Sequence, residues 1–312
     1  MTVMEMDFLR MLEGIRNPFF DAVFQFITYF GEQVLATAMI CFIFWCVDKN
    51  FGYKIGFSFF FAGLALQGLK ITFRIDRPWV TDPSFRAVES AVPAATGYSF
   101  PSGHTQTATS VFFALALFFK KTWAKVLCVA AFLLVGFSRM YLGVHTPKDV
   151  IVGMALGIVA VLVFSRLFEK IKDDKSKDPL ILVIMCVCSV ALVAYALIMY
   201  GTSVIEIKYA YDCCKAGGAG LGFAIAWFIE RKYINFSVKV PKQYMHLIKM
   251  AVGLSVAVLL MEGPKFVLGE SIPVDIIRYM LATLWCVGLF PYLTKNAIER
   301  YEKKHGNANA NE

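Results

Sequence analysis

Ser138-Arg139-Met140-Tyr141-Leu142-Gly143-Val144-His145-Thr146-Pro147-Lys148-Asp149 joins two apolar runs, residues 124–140 and 148–168. Each run is long enough to be a membrane helix. An Arg, a His and an Asp therefore stand at the end of hydrocarbon-like sequence, where ionisable groups are costly and need a reason. Two further polar clusters, Lys70 to Pro78 and Pro101 to His104, also stand at the ends of apolar runs. If those runs are spans, all three clusters fall on one side of the membrane.

Working outward, the composition agrees with spans. Of 312 residues, 58% are hydrophobic and 17% charged, and the mean hydropathy is +0.61. A soluble domain carries roughly 45–50% apolar and about 25% charged residues. The net charge of +8 comes from 31 Lys+Arg against 23 Asp+Glu. These cations are dealt out in short loops rather than gathered on a soluble module, which excludes a nucleic-acid partner. Met1–Asn17 carries Glu5, Asp7 and Glu13 with no small-residue cleavage site after an apolar core, so no removable signal peptide is expected. Six of the eight cysteines lie inside apolar runs, and none has metal-site spacing.

The expected architecture is an all-α, polytopic membrane helical bundle of about nine transmembrane helices. The spans fall near 33–47, 54–72, 103–119, 124–140, 148–168, 179–200, 214–230, 245–264 and 273–294. Residues 1–32 form an interfacial N-terminal segment, with an amphipathic helix over 4–16. Residues 33–168 hold all the polar clusters, 169–178 is a charged linker, 179–296 adds further helices, and 297–312 is a polar tail, disordered from Lys303. Gly218 and Gly222 stand at the small-xxx-small spacing of close helix packing. One set of loops, holding Lys120, Lys121, Lys125, Lys170, Lys172, Lys175, Lys177, Arg231 and Lys232 among others, is the more basic. The positive-inside rule places it in the cytoplasm together with the C-terminus. The polar clusters then face outward, as at a bacterial plasma membrane.

Each cluster has a chemical and a plain reading. Lys70 and Arg77 are two helical turns apart and share a side, and Pro78 stops the helix. They suit a cationic cradle for phosphate, although snorkelling cations at a span end account for them when taken alone. Ser102 is a natural N-cap for a helix opening at Gly103-His104. Such a terminus is an anion site, and Gly103 lets a phosphate approach the backbone, yet an ordinary capped helix reads the same. Thr146, Pro147 and Asp149 make a capping-box-like start. That leaves Arg139 and His145 unexplained. His145 and Asp149 are four apart, so the carboxylate can hold one ring nitrogen and free the other to attack. Joined, the clusters offer three cations, a helix N-terminus, two histidines and a carboxylate, which is what phosphoryl transfer asks for. No acidic cage for Mg²⁺ or Zn²⁺ accompanies them, so neither metal nor cofactor is expected.

Lys70-x6-Arg77-Pro78, Pro101-Ser102-Gly103-His104 and Ser138-Arg139-x5-His145-x3-Asp149 resemble the three-part signature of the type 2 phosphatidic acid phosphatase superfamily. The likeness covers roughly residues 30–168. It implies a phosphohistidine intermediate with His145 as nucleophile, Asp149 orienting it and His104 as general acid. It assigns Lys70, Arg77, Arg139, Ser102 and Gly103 to phosphate. Vanadium haloperoxidases share the constellation but are soluble. The helices after residue 179 are similar instead to the glucose-6-phosphatase and sphingoid-base-phosphate phosphatase branches. The expected activity is metal-independent hydrolysis of a membrane lipid phosphate or diphosphate. The alternatives are a soluble sugar phosphate as substrate, or a lipid-phosphate carrier without turnover. Residues 79–100, with Trp79, Phe85, Val88, Tyr98 and Phe100, are expected to pass over the site as an apolar gate.

Overall fold

The computed structural model describes residues 2–172 and 174–309, and side chains through residue 304. Among the described residues the elements are helices and turns, with no strand. The order is α1 (Val3–Gly14), α2 (Pro18–Thr28), α3 (Gln33–Phe42), α4 (Lys49–Phe73), α5 (Pro78–Thr81), α6 (Gly103–Phe118), α7 (Thr122–Tyr141), α8 (Pro147–Ile171), α9 (Asp178–Gly201), α10 (Ile207–Ile229), α11 (Tyr244–Leu268), α12 (Ile272–Leu284) and α13 (Phe290–Asn309). Among the described residues six helices, beginning at Lys49, Thr122, Pro147, Asp178, Tyr244 and Ile272, are long and apolar enough to cross a membrane. A seventh span forms if the pair Pro18–Gly31 and Gln33–Val47, bent by 50°, counts as one. The sequence spans 33–47, 103–119 and 214–230 are the three outside the six; the helix at 103 has 16 residues. Helix α13 carries the polar tail to Asn309, and residues 310–312 lie outside the described residues.

The helices gather into two compact units. One comprises Met1–Thr37, Lys54–Lys170 and Ala194–Cys213; the other comprises Ala38–Tyr53, Ile171–Val193 and Cys214–Glu312.

The first unit is built on α6, α7 and α8. Gly153 and Gly157 form a small-residue stripe on α8. A Cβ on Gly153 would lie 2.5 Å from the Ser102 carbonyl oxygen, and one on Gly157 would lie 2.8 Å from Thr109 Cβ. Only glycine lets these helices approach so closely. The stripe brings the N-termini of α6 and α8, and so the second and third polar clusters, side by side. Helix α1 opens with a capping box between Thr2 and Glu5 and buries Leu9 and Leu12. Its Met4, Met11 and Ile15 stay exposed, an apolar face of the kind an interfacial helix offers a bilayer.

Among the described residues the second unit contains three widened, π-helical turns, Ile43–Val47, Glu230–Ile234 and Trp285–Leu289. Such turns free carbonyls from the helix ladder, and side chains take them up. Trp45 Nε1 donates to Cys286 O at 2.8 Å, Lys249 Nζ to Trp45 O at 2.6 Å, and Lys295 Nζ to Ile234 O at 2.7 Å. The charged linker is pinned here as well. Arg231 Nε donates to Asp178 at 2.8 Å, and Lys175 Nζ to Arg231 O at 2.7 Å. Gly218 and Gly222 sit against the backbone of Ile276 and Met280 on α12, the close packing their spacing predicts.

The loop over residues 79–100 is folded down. Trp79, Ala87, Val88 and Ala95 pack on a buried cluster of Ala91, Tyr141, Leu142 and Val144, and Val88 N donates to Leu142 O at 3.0 Å. Phe85 is 2% exposed, with Arg10 and Arg16 over its ring. Gly143 makes room for it at φ +77°, where a Cβ would meet Arg16 Nη2 at 2.6 Å and Phe85 Cζ at 2.9 Å. Trp79 and Phe85, two of the aromatic residues expected at a gate, are therefore spent on packing at the helix ends. Of the loop's aliphatic side chains, Val80 and Val92 remain exposed.

Candidate active site

The first unit brings all three sequence clusters together in a buried polar site. Asp149 occupies the first turn of α8 and is fully buried. Its Oδ2 accepts from Thr146 N at 2.8 Å and Ser99 Oγ at 2.6 Å, and lies 3.5 Å from His145 Nδ1. Its carbonyl accepts from Ser102 N at 2.9 Å. Only the return half of the capping box forms, because Thr146 Oγ1 is buried without a partner.

His145 stands in the short connection between α7 and α8, 1% exposed. Arg77 Nη1 lies 2.8 Å from its Nε2. A guanidinium has only donors, so Nε2 carries the lone pair and Nδ1 the proton, with Asp149 Oδ2 3.5 Å from Nδ1. This is the tautomer a nucleophilic Nε2 requires. Burial, then the charges of Arg77, Arg139, Lys70 and His104, hold the imidazole well below the ordinary histidine range, so the ring is neutral near pH 7.

The cations converge on this ring from three elements. Arg77 precedes α5 and is fixed by three carbonyls: Gly97 O at 3.1 Å, Thr96 O at 2.6 Å and Val144 O at 2.9 Å. Lys70, in the last turn of α4, donates to Tyr98 O. Arg139, in the last turn of α7, is fully buried and donates through Nη1 to Thr28 Oγ1 at 2.8 Å. Its Nε and Nη2 have no partner. Orphaned donors of a buried guanidinium are the mark of an anion site, since a buried charge without acceptors is costly.

Ser102 caps α6, with its Oγ 2.8 Å from Thr105 Oγ1 and facing Thr105 N. A Cβ on Gly103 would meet nothing nearer than Leu66 Cδ2 at 4.0 Å, so the helix mouth is open at this point. His104 Nε2 lies 3.1 Å from Glu32 Oε1. Arg74, part of the first sequence cluster, turns back to Ile71 O on its own helix at 3.2 Å. Among the described residues no group of three His, Cys, Asp or Glu converges as a metal site.

Four supporting residues escape sequence reading. Thr28 holds Arg139, Glu32 faces His104, and Ser99 bonds Asp149. Arg16 donates to Tyr141 O at 2.8 Å and to Arg86 O, tying the loop to the end of α7.

Residues 51–173 match the family model described as PAP2 superfamily, and residues 214–298 match PAP2 superfamily phosphatase, transmembrane extension. The chain belongs to the PAP2 superfamily, and its later helices are an extension that occurs within that family. It is 27% identical to undecaprenyl-diphosphatase BcrC of Bacillus subtilis over 174 residues, 54% of this chain and 86% of that protein. It is 28% identical to phosphatidylglycerophosphatase B of the same organism, covering 52% and 82%. With human sphingosine-1-phosphate phosphatase 2 the identity is 23% over 261 residues, 82% of this chain and 63% of that protein. No solved structure matches the chain.

Proposed function

We propose that the protein is an integral membrane phosphatase that hydrolyses a lipid phosphate or diphosphate without a metal, through a phosphohistidine. One observation carries the reading: a neutral His145 presents the lone pair of Nε2 among three cations, one of which, Arg139, keeps two buried N–H donors unpaired. The phosphoryl group occupies Lys70, Arg77, Arg139, Ser102 and Gly103, where charge on its equatorial oxygens is matched. His145 Nε2 attacks phosphorus, the bond to the leaving oxygen breaks, and His104 gives that oxygen its proton. Asp149 supports the positive charge that develops on the ring. Water then attacks the phosphohistidine, His104 recovers a proton from it, and the P–N bond breaks to release phosphate and free His145.

The lipid substrate is supported by the relatives, whose names share a phosphate or diphosphate on a lipid. The loop-charge bias supports a site on the outer side, periplasmic or extracellular in a bacterial plasma membrane, and a cytoplasmic C-terminus. The test is phosphate release by the purified protein from lipid phosphates, lipid diphosphates and glucose 6-phosphate. Release should favour the lipids, persist in excess EDTA and stop with vanadate, which mimics the phosphoryl transition state. Activity lost in EDTA and restored by Mg²⁺ would overturn the metal-independent mechanism.

A further inference from the structure

Glu32 belongs to neither signature motif nor matched region, yet its Oε1 lies 3.1 Å from Nε2 of His104. Its backbone is fixed on both sides. Glu32 N donates to Tyr29 O at 3.0 Å, and its carbonyl accepts from Ala36 N at 3.0 Å. The preceding residue explains how this turn reaches the histidine. A Cβ on Gly31 would lie 2.8 Å from His104 O, 2.9 Å from His104 Cβ and 2.8 Å from Val135 Cγ1. Only glycine fits there, and its absence of a side chain seats the turn directly on His104. One helical turn earlier, Thr28 takes the single side-chain hydrogen bond that Arg139 makes among the described residues. The segment 28–32 therefore touches two of the groups that the proposed chemistry uses.

Burial, then the charges of Arg139 from α7 and Arg77 from the start of α5, disfavour a protonated His104, and Glu32 from this turn opposes them. An imidazolium beside two guanidiniums is electrostatically unfavourable, and a general acid must hold its proton until the leaving oxygen needs it. Glu32 supplies the opposing charge. It also mirrors Asp149, so that each histidine of the site has a carboxylate of its own, at 3.1 Å for His104 and 3.5 Å for His145.

We infer that Glu32 is a positioning residue for proton transfer: its carboxylate orients the His104 ring and, against burial and the two guanidiniums, favours the protonated ring from which the leaving oxygen draws its proton. The inference rests on the reading of His104 as the general acid. When His104 donates to the leaving oxygen, the ring becomes neutral and its bond to Glu32 weakens. When it takes a proton from the attacking water, the ion pair is restored.

The test compares two monoesters of equal chain length, one with an alkyl and one with a nitrophenyl leaving oxygen. Glu32→Gln, Glu32→Asp, His104→Ala and the double variant His104→Ala/Glu32→Gln are each measured in detergent. General acid catalysis contributes about 10²–10⁴-fold and matters least for a good leaving group. On the alkyl ester, Glu32→Gln should lower kcat by about 10-fold or more with KM little changed; on the nitrophenyl ester the loss should nearly vanish. Glu32→Asp should recover part of the rate. The double variant should be no slower than His104→Ala alone, because both act on one proton. If His104→Ala shows no dependence on the leaving group, the reading of His104 itself fails. If His104→Ala shows it and Glu32→Gln matches the wild type, the inference about Glu32 fails alone. Equal losses on both esters would reduce Glu32 to a structural role and overturn it as well.

Discussion

Arg77 Nη1 sits 2.8 Å from Nε2 of His145, so the guanidinium covers the lone pair that the proposed mechanism uses for attack. An incoming phosphoryl group must take that place, with its oxygens accepting from the guanidinium while phosphorus meets Nε2. On the proposed mechanism Arg77 has two roles, fixing the tautomer before binding and matching charge afterwards. His145→Ala should abolish turnover and leave no trappable phosphoenzyme. Arg77→Lys should also lose about 10²-fold or more, because a single ammonium cannot replace a fork held by three carbonyls. Rapid-quench trapping with labelled substrate checks both; near-normal turnover in His145→Ala removes it as the nucleophile.

The acid side of the stability profile should carry a signature of His145. In the unfolded chain a histidine gains its proton near about pH 6.5. In the folded protein, burial and the cations Arg77, Arg139, Lys70 and His104 hold this ring well below that range. Below about pH 6.5 the unfolded state therefore binds more protons, and the group lowers stability as the pH falls; above it the group has no effect. Thermal unfolding in detergent should decline between about pH 7 and pH 5, and less steeply in His145→Gln. Equal slopes in the two proteins would mean that the native ring protonates as readily as the unfolded one.

The residues that meet in the candidate site are legible in the sequence where they are neighbours in the chain. Lys70 with Arg77, Ser102 with His104, and His145 with Asp149 are each close in the chain, and each pair stands where an apolar run ends. Helix geometry alone puts such neighbours on one side. Their supports were not legible, since those contacts depend on packing between distant segments. Thr28 meets Arg139 across 111 positions, and Glu32 meets His104 across 72. Taken singly, a Thr or Glu before an apolar run reads as a helix cap. The loop over 79–100 shows the same limit. Its aromatic content predicted membrane-facing side chains, but Gly143 opens a seat for Phe85 that only the folded turn reveals.

Orientation can be tested on the chain's own terms, because all eight cysteines are buried or partly buried. Ser90→Cys and Asp174→Cys introduce thiols at exposed positions, one in the loop over the site and one in the basic loop before α9. An impermeant maleimide applied to intact cells should label position 90 and spare position 174, and permeabilisation should make both reactive. The reverse pattern would turn the site toward the cytoplasm.

The placement of α8 against Ser102 offers the last prediction. A Cβ on Gly153 would lie 2.5 Å from Ser102 O and 3.4 Å from Ser102 C and N, all backbone atoms with no rotamer to yield. Gly153→Ala must push α8 away from the start of α6. That movement strains the 2.9 Å bond from Ser102 N to Asp149 O, which ties the start of α6 to the carboxylate residue beside His145. Overpacking of this kind costs about 1–3 kcal/mol, and a displacement of about 1 Å at a reacting centre can cost about 10²-fold in rate. Gly157→Ala is the matched control. Its Cβ would lie 2.8 Å from Thr109 Cβ and 3.1 Å from Gln106 O, one turn further from the chemistry. Gly63→Ala meets nothing within 4 Å and reports the effect of the substitution alone. Melting in detergent should fall by similar amounts in Gly153→Ala and Gly157→Ala and not in Gly63→Ala, whereas kcat should fall steeply in Gly153→Ala only. If Gly157→Ala loses as much activity as Gly153→Ala, the loss reflects general loosening of the bundle, and the Ser102–Asp149 tie is not what sets the geometry of the site.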